Sequence, residues 1–244
     1  MKAYGISDKG AVRKENQDYF RFVLSEKDDT LCAVLCDGMG GAQSGSVASV
    51  MAVDTFMSHA ANSLDSSSAP ADMQQILTEA VNYANIKVYD RSFSDFSCMG
   101  MGCTLVALLV NGKRCLAANV GDSRIYLIAK GAIQQISRDH SLVQELLAKG
   151  EISAEEARKH PQKNIITRAI GVEASVRCDI FDLKLSPDSR LLLCSDGLSN
   201  VVTDSEMLSI SRENADVENA CTALMELALT RGAPDNVTVF IAER

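Results

Sequence analysis

The chain has 244 residues, 46% hydrophobic and 23% charged, a length and balance that suit one large domain with a sizeable core and exclude a disordered chain. Its formal net charge of −8 argues against non-specific binding to nucleic acid or an anionic membrane. The opening MKAYGISDKGAVRKENQD lacks the apolar stretch of a signal peptide and no apolar run approaches a membrane span, while eight cysteines, mostly inside apolar runs and without zinc-site spacing, read as reduced, buried thiols of a cytoplasmic protein.

Short apolar runs bounded by Gly, Asp, Asn or Pro predict strands over 3–7, 19–24 and 31–36. Two helices follow, over 46–61 and 71–91; the second carries Met73, Ile76, Leu77, Ala80, Val81, Ala84 and Val88 on one face. The segment between them, NSLDSSSAPAD, reads as an interhelical loop rather than a linker between domains. Strands over 103–110, 113–120, 123–129 and 132–136 are joined at Asn111-Gly112, Gly121-Asp122 and Lys130-Gly131, which predicts an antiparallel meander. Residues 138–164 are polar and charged. Ser141-x-x-Gln144 and Ser153-x-x-Glu156 read as capping boxes that start two short helices, with Gly150 stopping the first. This segment is expected to be an insertion that forms a flap beside a site. Strands over 178–185, 190–194 and 236–242 and a helix over 217–230 complete the chain. Many antiparallel strands and a few one-sided helices predict an α+β fold of two packed sheets flanked by helices.

Four acidic residues sit at the ends of the apolar runs. Asp37 follows 31–36, Asp196 follows 190–194, Asp122 lies between two strands, and Asp235 opens the last. A single Asp-Gly is a common turn signal. Several carboxylates converging at one sheet edge, however, cannot all stay ionised without a cation. Hard oxygen donors with almost no His or thiolate select Mg²⁺ or Mn²⁺ over zinc. Gly38 allows close backbone approach, so its carbonyl can join the ligands. Paired ions of this kind are the apparatus of two-metal phosphoryl hydrolysis. Arg13 offers a bidentate fork for phosphate, and Asp18 follows five residues later.

At this point the chain resembles the metal-dependent protein serine/threonine phosphatases of the PP2C (PPM) family, in their bacterial stand-alone form. The resemblance runs in order through GAVRKENQD, CDGMGG, GCTLVAL, NVGDSRIY, RDHSLVQEL, ITRAIG, CSDGLSN and APDNVTV. It implies one catalytic domain over 1–244, a four-layer α/β/β/α sandwich with a metal cleft at one edge of two central antiparallel sheets, and the flap at about 138–164. By match, Asp37 bridges two core ions, Mn²⁺ or Mg²⁺; the Gly38 carbonyl holds one, and Asp196 and Asp235 hold the other. Asp122, with Asp196, matches a weaker third site. Arg13 matches the phosphate-binding arginine, and Asp18 the aspartate that hydrogen-bonds metal-bound water.

The sequence departs from the family at three places. Met39 stands where some members carry a histidine proposed as general acid, so leaving-group protonation must come from elsewhere. Asn200 stands where some carry an aspartate at the third site, which implies weaker binding there. Cys103 replaces a usual threonine and is expected only to pack. The C-x5-R signature of cysteine phosphatases is absent. His140 and His160 flank the flap and read as surface or hydrogen-bonding residues; His59 reads as structural.

The implied activity is hydrolysis of phosphoserine and phosphothreonine in proteins by a metal-bridging water, opposing a Ser/Thr protein kinase. The expected form is a cytoplasmic monomer, with no nucleic-acid or membrane partner. Two alternatives are a narrow-specificity phosphatase of one regulator and a catalytically silent, partner-binding pseudophosphatase. The presence of every expected aspartate and of Arg13 argues against the second.

Overall fold

Antiparallel strands usually alternate polar and apolar residues, yet β3 (Thr30–Met39), β5 (Leu105–Asn111) and β10 (Arg190–Cys194) are apolar almost throughout. The computed structural model, which describes residues 1–25, 29–40, 44–63 and 70–244, gives the reason: each of these strands is covered on both faces. Leu31, Ala33 and Leu35 of β3 point with Val106 and Leu108 toward Leu191, Leu193 and Phe240, and this is the core between the two sheets. Their neighbours Cys32, Val34 and Cys36 point the other way, under α1 (Ser44–Ser63) and α2 (Pro70–Ser94). On the opposite side, Leu192 and Cys194 of β10 lie under α7 (Val217–Thr230), whose Ala220, Cys221, Leu224 and Ala228 face them. Period-two side chains on two stacked sheets thus feed three cores. The layers are helix, sheet, sheet, helix, as expected.

One sheet has the order β1 (Lys2–Asp8), β11 (Val237–Glu243), β10, β7 (Arg124–Ala129), β8 (Ala132–Gln135). The other runs β2 (Asp18–Ser25), β3, β5, β6 (Arg114–Val120), β9 (Asp179–Lys184), with the two-residue β4 (Gly102–Cys103) pairing β3. All strand pairs are antiparallel. Among the described residues no helix is long and apolar enough to cross a membrane.

The predicted meander breaks at Gly121-Asp122. β5 pairs with β6 in one sheet and β7 with β8 in the other, so the turn between β6 and β7 is a crossing between sheets, not a hairpin. Gly121 has φ +107°, and a Cβ on it would lie 2.6 Å from Thr104 Cγ2. A turn signal specifies reversal but not which sheet the next strand joins. The crossing carries Asp122 to the open edge between the sheets.

The predicted strand over 103–110 is also interrupted, at Thr104, which donates its N–H to the Asp37 carbonyl (2.8 Å) and accepts the Asp37 N–H on its hydroxyl (3.0 Å). Two helices escape prediction: α5 (Asp196–Ser199) and α6 (Asp204–Glu213). At the start of α6 the Glu206 carboxylate accepts the Thr203 N–H at 2.9 Å, a T-x-x-E signal present in the sequence. With only Met207 and Ser211 buried, its apolar stripe is too thin to read. In the expected interhelical loop, residues 64–69 lie outside the described residues. The flap holds α3 (Leu142–Ala148) and α4 (Ala154–Lys159). Ser153–Glu156 forms a complete capping box, Ser141 accepts the Gln144 N–H at 3.3 Å, and Gly150 reverses the chain at φ +72°.

Candidate active site

The cleft floor is built where the two sheets meet edge to edge. Asp18 and Asp37 are direct partners in the β2–β3 register. Asp18 is buried, and its Oδ2 accepts the Ser195 and Thr238 hydroxyls, each at 2.7 Å. Both donors belong to the other sheet or its α5 extension, so Asp18 ties the sheets together at the cleft. Its Oδ1 is buried without a hydrogen-bond partner among the described residues. Burial raises its carboxyl to about 7, the two hydroxyls oppose the rise, and the charges of Asp196 and Asp235 add to it.

Asp37 lies inside β3 rather than past its end, because the strand continues through Met39. Its carboxyl is pushed well above the usual range by burial and then by repulsion from Asp18, Asp196, Asp122 and Asp235. Asp196 opens α5; its Oδ2 accepts the Asn200 amide at 3.0 Å, and its Oδ1 is a second buried oxygen without a partner. The adjacent Gly197 is required sterically, since a Cβ there would lie 1.9 Å from the Asn236 carbonyl. Burial and Asp235 raise the Asp196 carboxyl, while contacts with Asp37 and Asn200 pull against the rise. Asp122, delivered by the intersheet crossing, is raised to about 8 by burial and by Asp196 and Asp139. Asp235 accepts the Asn236 N–H on Oδ1 (2.8 Å) and Arg13 Nη2 on Oδ2 (2.7 Å).

Asp37, Asp122, Asp196, Asp235, Gly38, Met39 and Arg13 line one cleft of about 290 Å³, with Asn164 and Ile166 from the flap side, and buried Asp18 lies behind Asp37 in the strand register. Arg13 lines it, and the charges of Lys163 and Arg124 pull Asp196 and Asp122 downward. The donor set fits hard divalent cations: oxygen atoms only, Asp37 and Asp196 carboxyls raised by burial and then by neighbouring carboxylates, and, among the described residues, two buried carboxylate oxygens without a protein donor. Among the described residues no three His, Cys, Asp or Glu side chains close round a single point.

Gly38 is buried at the cleft wall. Its N–H donates to the Gln17 carbonyl (3.1 Å), and a Cβ on it would lie 2.1 Å from the Gly45 carbonyl. The Asp-Gly pair therefore serves backbone packing as well as access to the cleft. Asn200 is engaged with Asp196, and Cys103 is buried with its sulfur 3.8 Å from the Ala48 carbonyl, a packing role as expected. Burial pushes the Cys32 and Cys194 thiols up to about 12, so neither is a thiolate nucleophile. His140 is buried away from the cleft. Its Nδ1 accepts the Gly121 N–H (3.0 Å) and its Nε2 faces Asp179 (3.2 Å), which fixes the crossing that carries Asp122. His160 closes α4 and accepts the Gln162 N–H.

Sequence reading missed the residues that hold the site. Buried Asn236 accepts the Gln17 N–H (2.9 Å) and donates to the Lys9 and Glu15 carbonyls (2.9 and 2.8 Å), stapling the Arg13 loop to the cleft. Thr104 and Ser123 share a 2.7 Å hydrogen bond between the backbones of Asp37 and Asp122. A polar residue inside the apolar run 103–110 was the available signal for Thr104; Asn236 only opens the last predicted strand and offered little. Lys163 carried none beyond its place in the flap.

Comparison with known proteins identifies the family and the fold. The family model described as protein phosphatase 2C matches residues 11–233. The serine/threonine phosphatase Stp of Listeria monocytogenes is 38% identical over 244 residues, covering 100% of this chain and 96% of that protein. The crystal structure of the serine/threonine phosphatase Stp1 from Staphylococcus aureus superposes with a TM-score of 0.92 at 36% identity, covering 100% of this chain and 94% of the other. The catalytic domain of the serine/threonine protein phosphatase PstP, solved in complex with two manganese ions, superposes at 0.86 with 33% identity, covering 99% and 97%. With fold and sequence in agreement along its length, the chain belongs to the protein phosphatase 2C family and is a serine/threonine phosphatase.

Proposed function

We propose that the cleft at the sheet edge is the catalytic centre and that it hydrolyses phosphoserine and phosphothreonine esters in proteins with Mn²⁺ or Mg²⁺. The observation that carries this reading is that Asp37, Asp122, Asp196 and Asp235 line one cleft with buried Asp18 behind them, and that among the described residues one oxygen of Asp18 and one of Asp196 are buried without a hydrogen-bond partner. Asp37, Asp196, Asp235 and the Gly38 carbonyl would hold two core ions, and Asp122 with Asp196 a weaker third. When bound, such ions supply an acidified water and neutralise phosphoryl charge.

The chain's own groups supply the rest. Arg13 stands exposed at the mouth, its guanidinium anchored on Asp235, with further N–H donors available for the phosphoryl oxygens. Asp18, held by two hydroxyls and raised to about 7, is suited to accept a proton from, or orient, a water on the floor of the cleft. Met39 carries no transferable proton, so the leaving oxygen takes its proton from water. The flap, with Lys163 beside Asp196, forms the side of the cleft where the phosphoprotein arrives. The whole chain works as one catalytic unit, because both sheets contribute to the floor.

The opposed reaction is that of a Ser/Thr protein kinase. Eight free thiols support work in a reducing compartment, the cytoplasm, where we infer that the protein acts as a monomer. The test is hydrolysis of a phosphothreonine peptide with and without Mn²⁺, for wild type beside Asp37→Ala and Asp196→Ala. Metal-dependent turnover that collapses in both variants is expected. Absence of turnover by folded, metal-loaded wild type overturns the reading.

A further inference from the structure

Beyond the far end of α2 the fold exposes apolar side chains that none of the three cores uses. Phe93, Phe96 and Met99 are 74%, 86% and 64% exposed, and Val172, on the segment after the flap, is 52% exposed. A pocket of about 380 Å³ opens among them. Single exposed apolar residues are ordinary, but four around one concavity mark an interaction surface. The turn that carries them is braced. Cys98 and Met101 point inward to the core under α1 and α2, while Phe96 and Met99 point out. Asp95 accepts the Ser97 N–H (3.0 Å) and pairs with Arg91 (2.6 Å), and the Phe93 ring rests on Tyr89 with centroids 4.7 Å apart. A ledge held this way loses little freedom when a partner docks.

The ledge is continuous with the catalytic cleft. Met39 lines the cleft and also a neighbouring pocket of about 330 Å³ that Val172 shares. Val172 in turn lines the pocket beside Phe96. Gly102 lies between them: a Cβ there would be 2.7 Å from Met39 Cε and 3.1 Å from Val172 Cγ2. A polypeptide whose phosphorylated residue enters the cleft and whose chain leaves over Met39 therefore passes onto the ledge.

We propose that the ledge around Phe96 and Val172 binds an apolar side chain of the phosphoprotein substrate, displaced along the chain from the phosphorylated residue. This rests on the reading of the cleft given above. The continuity from Asp37-Gly38 through Met39 to Val172 selects a substrate segment over other occupants, since a second copy of this chain or a lipid surface has no reason to begin at the cleft.

The test uses p-nitrophenyl phosphate and a set of phosphothreonine peptides in which one Phe is walked along the flanking positions of a Gly/Ser background, all with Mn²⁺. For wild type one offset is expected to raise kcat/KM about tenfold, mainly through KM, the scale of burying one large apolar side chain. Phe96→Ser and Val172→Ser are expected to abolish that rise and to leave p-nitrophenyl phosphate hydrolysis unchanged; both side chains are exposed, so folding is preserved. A flat profile in wild type that still turns over p-nitrophenyl phosphate overturns the docking proposal alone, as does a peak that survives both substitutions. A dimer, or binding to phosphatidylglycerol vesicles, that Phe96→Ser abolishes while the peptide profile stays flat gives the ledge another occupant and also overturns it. Failure to hydrolyse either substrate removes the cleft reading, and the docking proposal with it.

Discussion

The floor of the cleft and its flap are built on opposite terms. On the floor, Asp18 is buried and cross-linked to the second sheet by Ser195 and Thr238, and Asp37 is hydrogen-bonded through its backbone to Thr104. The flap helix α3 buries none of its side chains, and α4 is held by a cap and an exposed Glu155–Lys159 pair. The floor owes its geometry to two sheets that cannot shift without breaking a core. The flap owes its shape to local caps and a few anchors, such as the Thr167 N–H on the His140 carbonyl (2.8 Å). On the proposed reading, chemistry would sit where the backbone is over-determined and selectivity where it can vary.

The sharpest way to break that contrast is at Asp37. Asp37→Asn should lower Mn²⁺-dependent turnover about a thousandfold or more, the scale of losing Lewis-acid stabilisation of a transferring phosphoryl group. Relief of carboxylate repulsion should at the same time raise the melting temperature of the metal-free protein. A variant that loses stability along with activity would place Asp37 in a structural role. Calorimetric Mn²⁺ titration and a metal-free melt separate the two.

The second prediction concerns pH. In the folded, metal-free protein Asp18 is raised to about 7 and Asp122 to about 8, whereas an unfolded Asp titrates near about 4. Between those values the folded state binds protons that the unfolded chain has released. Stability from these groups is therefore present at low pH and lost as pH rises through about 7 to 8. The metal-free melting temperature should fall from pH 5 to pH 8, and saturating Mn²⁺ should flatten the slope. A metal-free melting temperature that rises over this range would show that burial and neighbouring charge do not raise these carboxyls.

Asn236→Ala tests whether the Arg13 loop belongs with the rigid floor. It removes three buried hydrogen bonds and should cost about 1–3 kcal/mol of stability. Turnover should fall about tenfold through loss of Arg13 placement, whereas Asn236→Asp, which keeps the acceptor for Gln17, should recover part of it. Lys163→Ala probes the flap instead. Removing one cation beside Asp196 should raise KM for a phosphopeptide about threefold with little change in kcat, within the range of a partly screened charge. Smallest of all, Ser153→Ala should speed amide exchange across 154–159 and leave p-nitrophenyl phosphate hydrolysis within about twofold. If that substitution slows small-substrate turnover strongly, the flap is part of the catalytic frame and the contrast fails.

Much of this molecule is legible in the chain. The two-sided burial of β3, β5 and β10 follows from their unbroken apolar runs, and the long helices from their periodic stripes, because both patterns repeat at a fixed spacing along the backbone. The acidic residues at strand ends are visible for the same reason: an ionisable group beside an apolar run stands out wherever the chain later goes. The caps at Ser141 and Ser153 are local hydrogen bonds and need no tertiary knowledge.

What the chain could not declare depends on contacts between distant segments. The Gly121-Asp122 turn looks like a hairpin, and only the packing of two sheets turns it into the crossing that brings Asp122 to Asp196. Asn236 is one more polar residue until the fold lays the Lys9, Glu15 and Gln17 backbone against it. The carboxyl of Asp18 is raised by burial and by Asp196 and Asp235, and that of Asp37 by burial and four neighbouring carboxylates, and such convergence is a property of space. Composition and spacing determined that this protein would carry paired sheets and a set of acids in search of cations. Tertiary structure decided that those acids face one another across a single cleft, because electrostatic and steric coupling fall off with distance through space and take no account of separation along the chain.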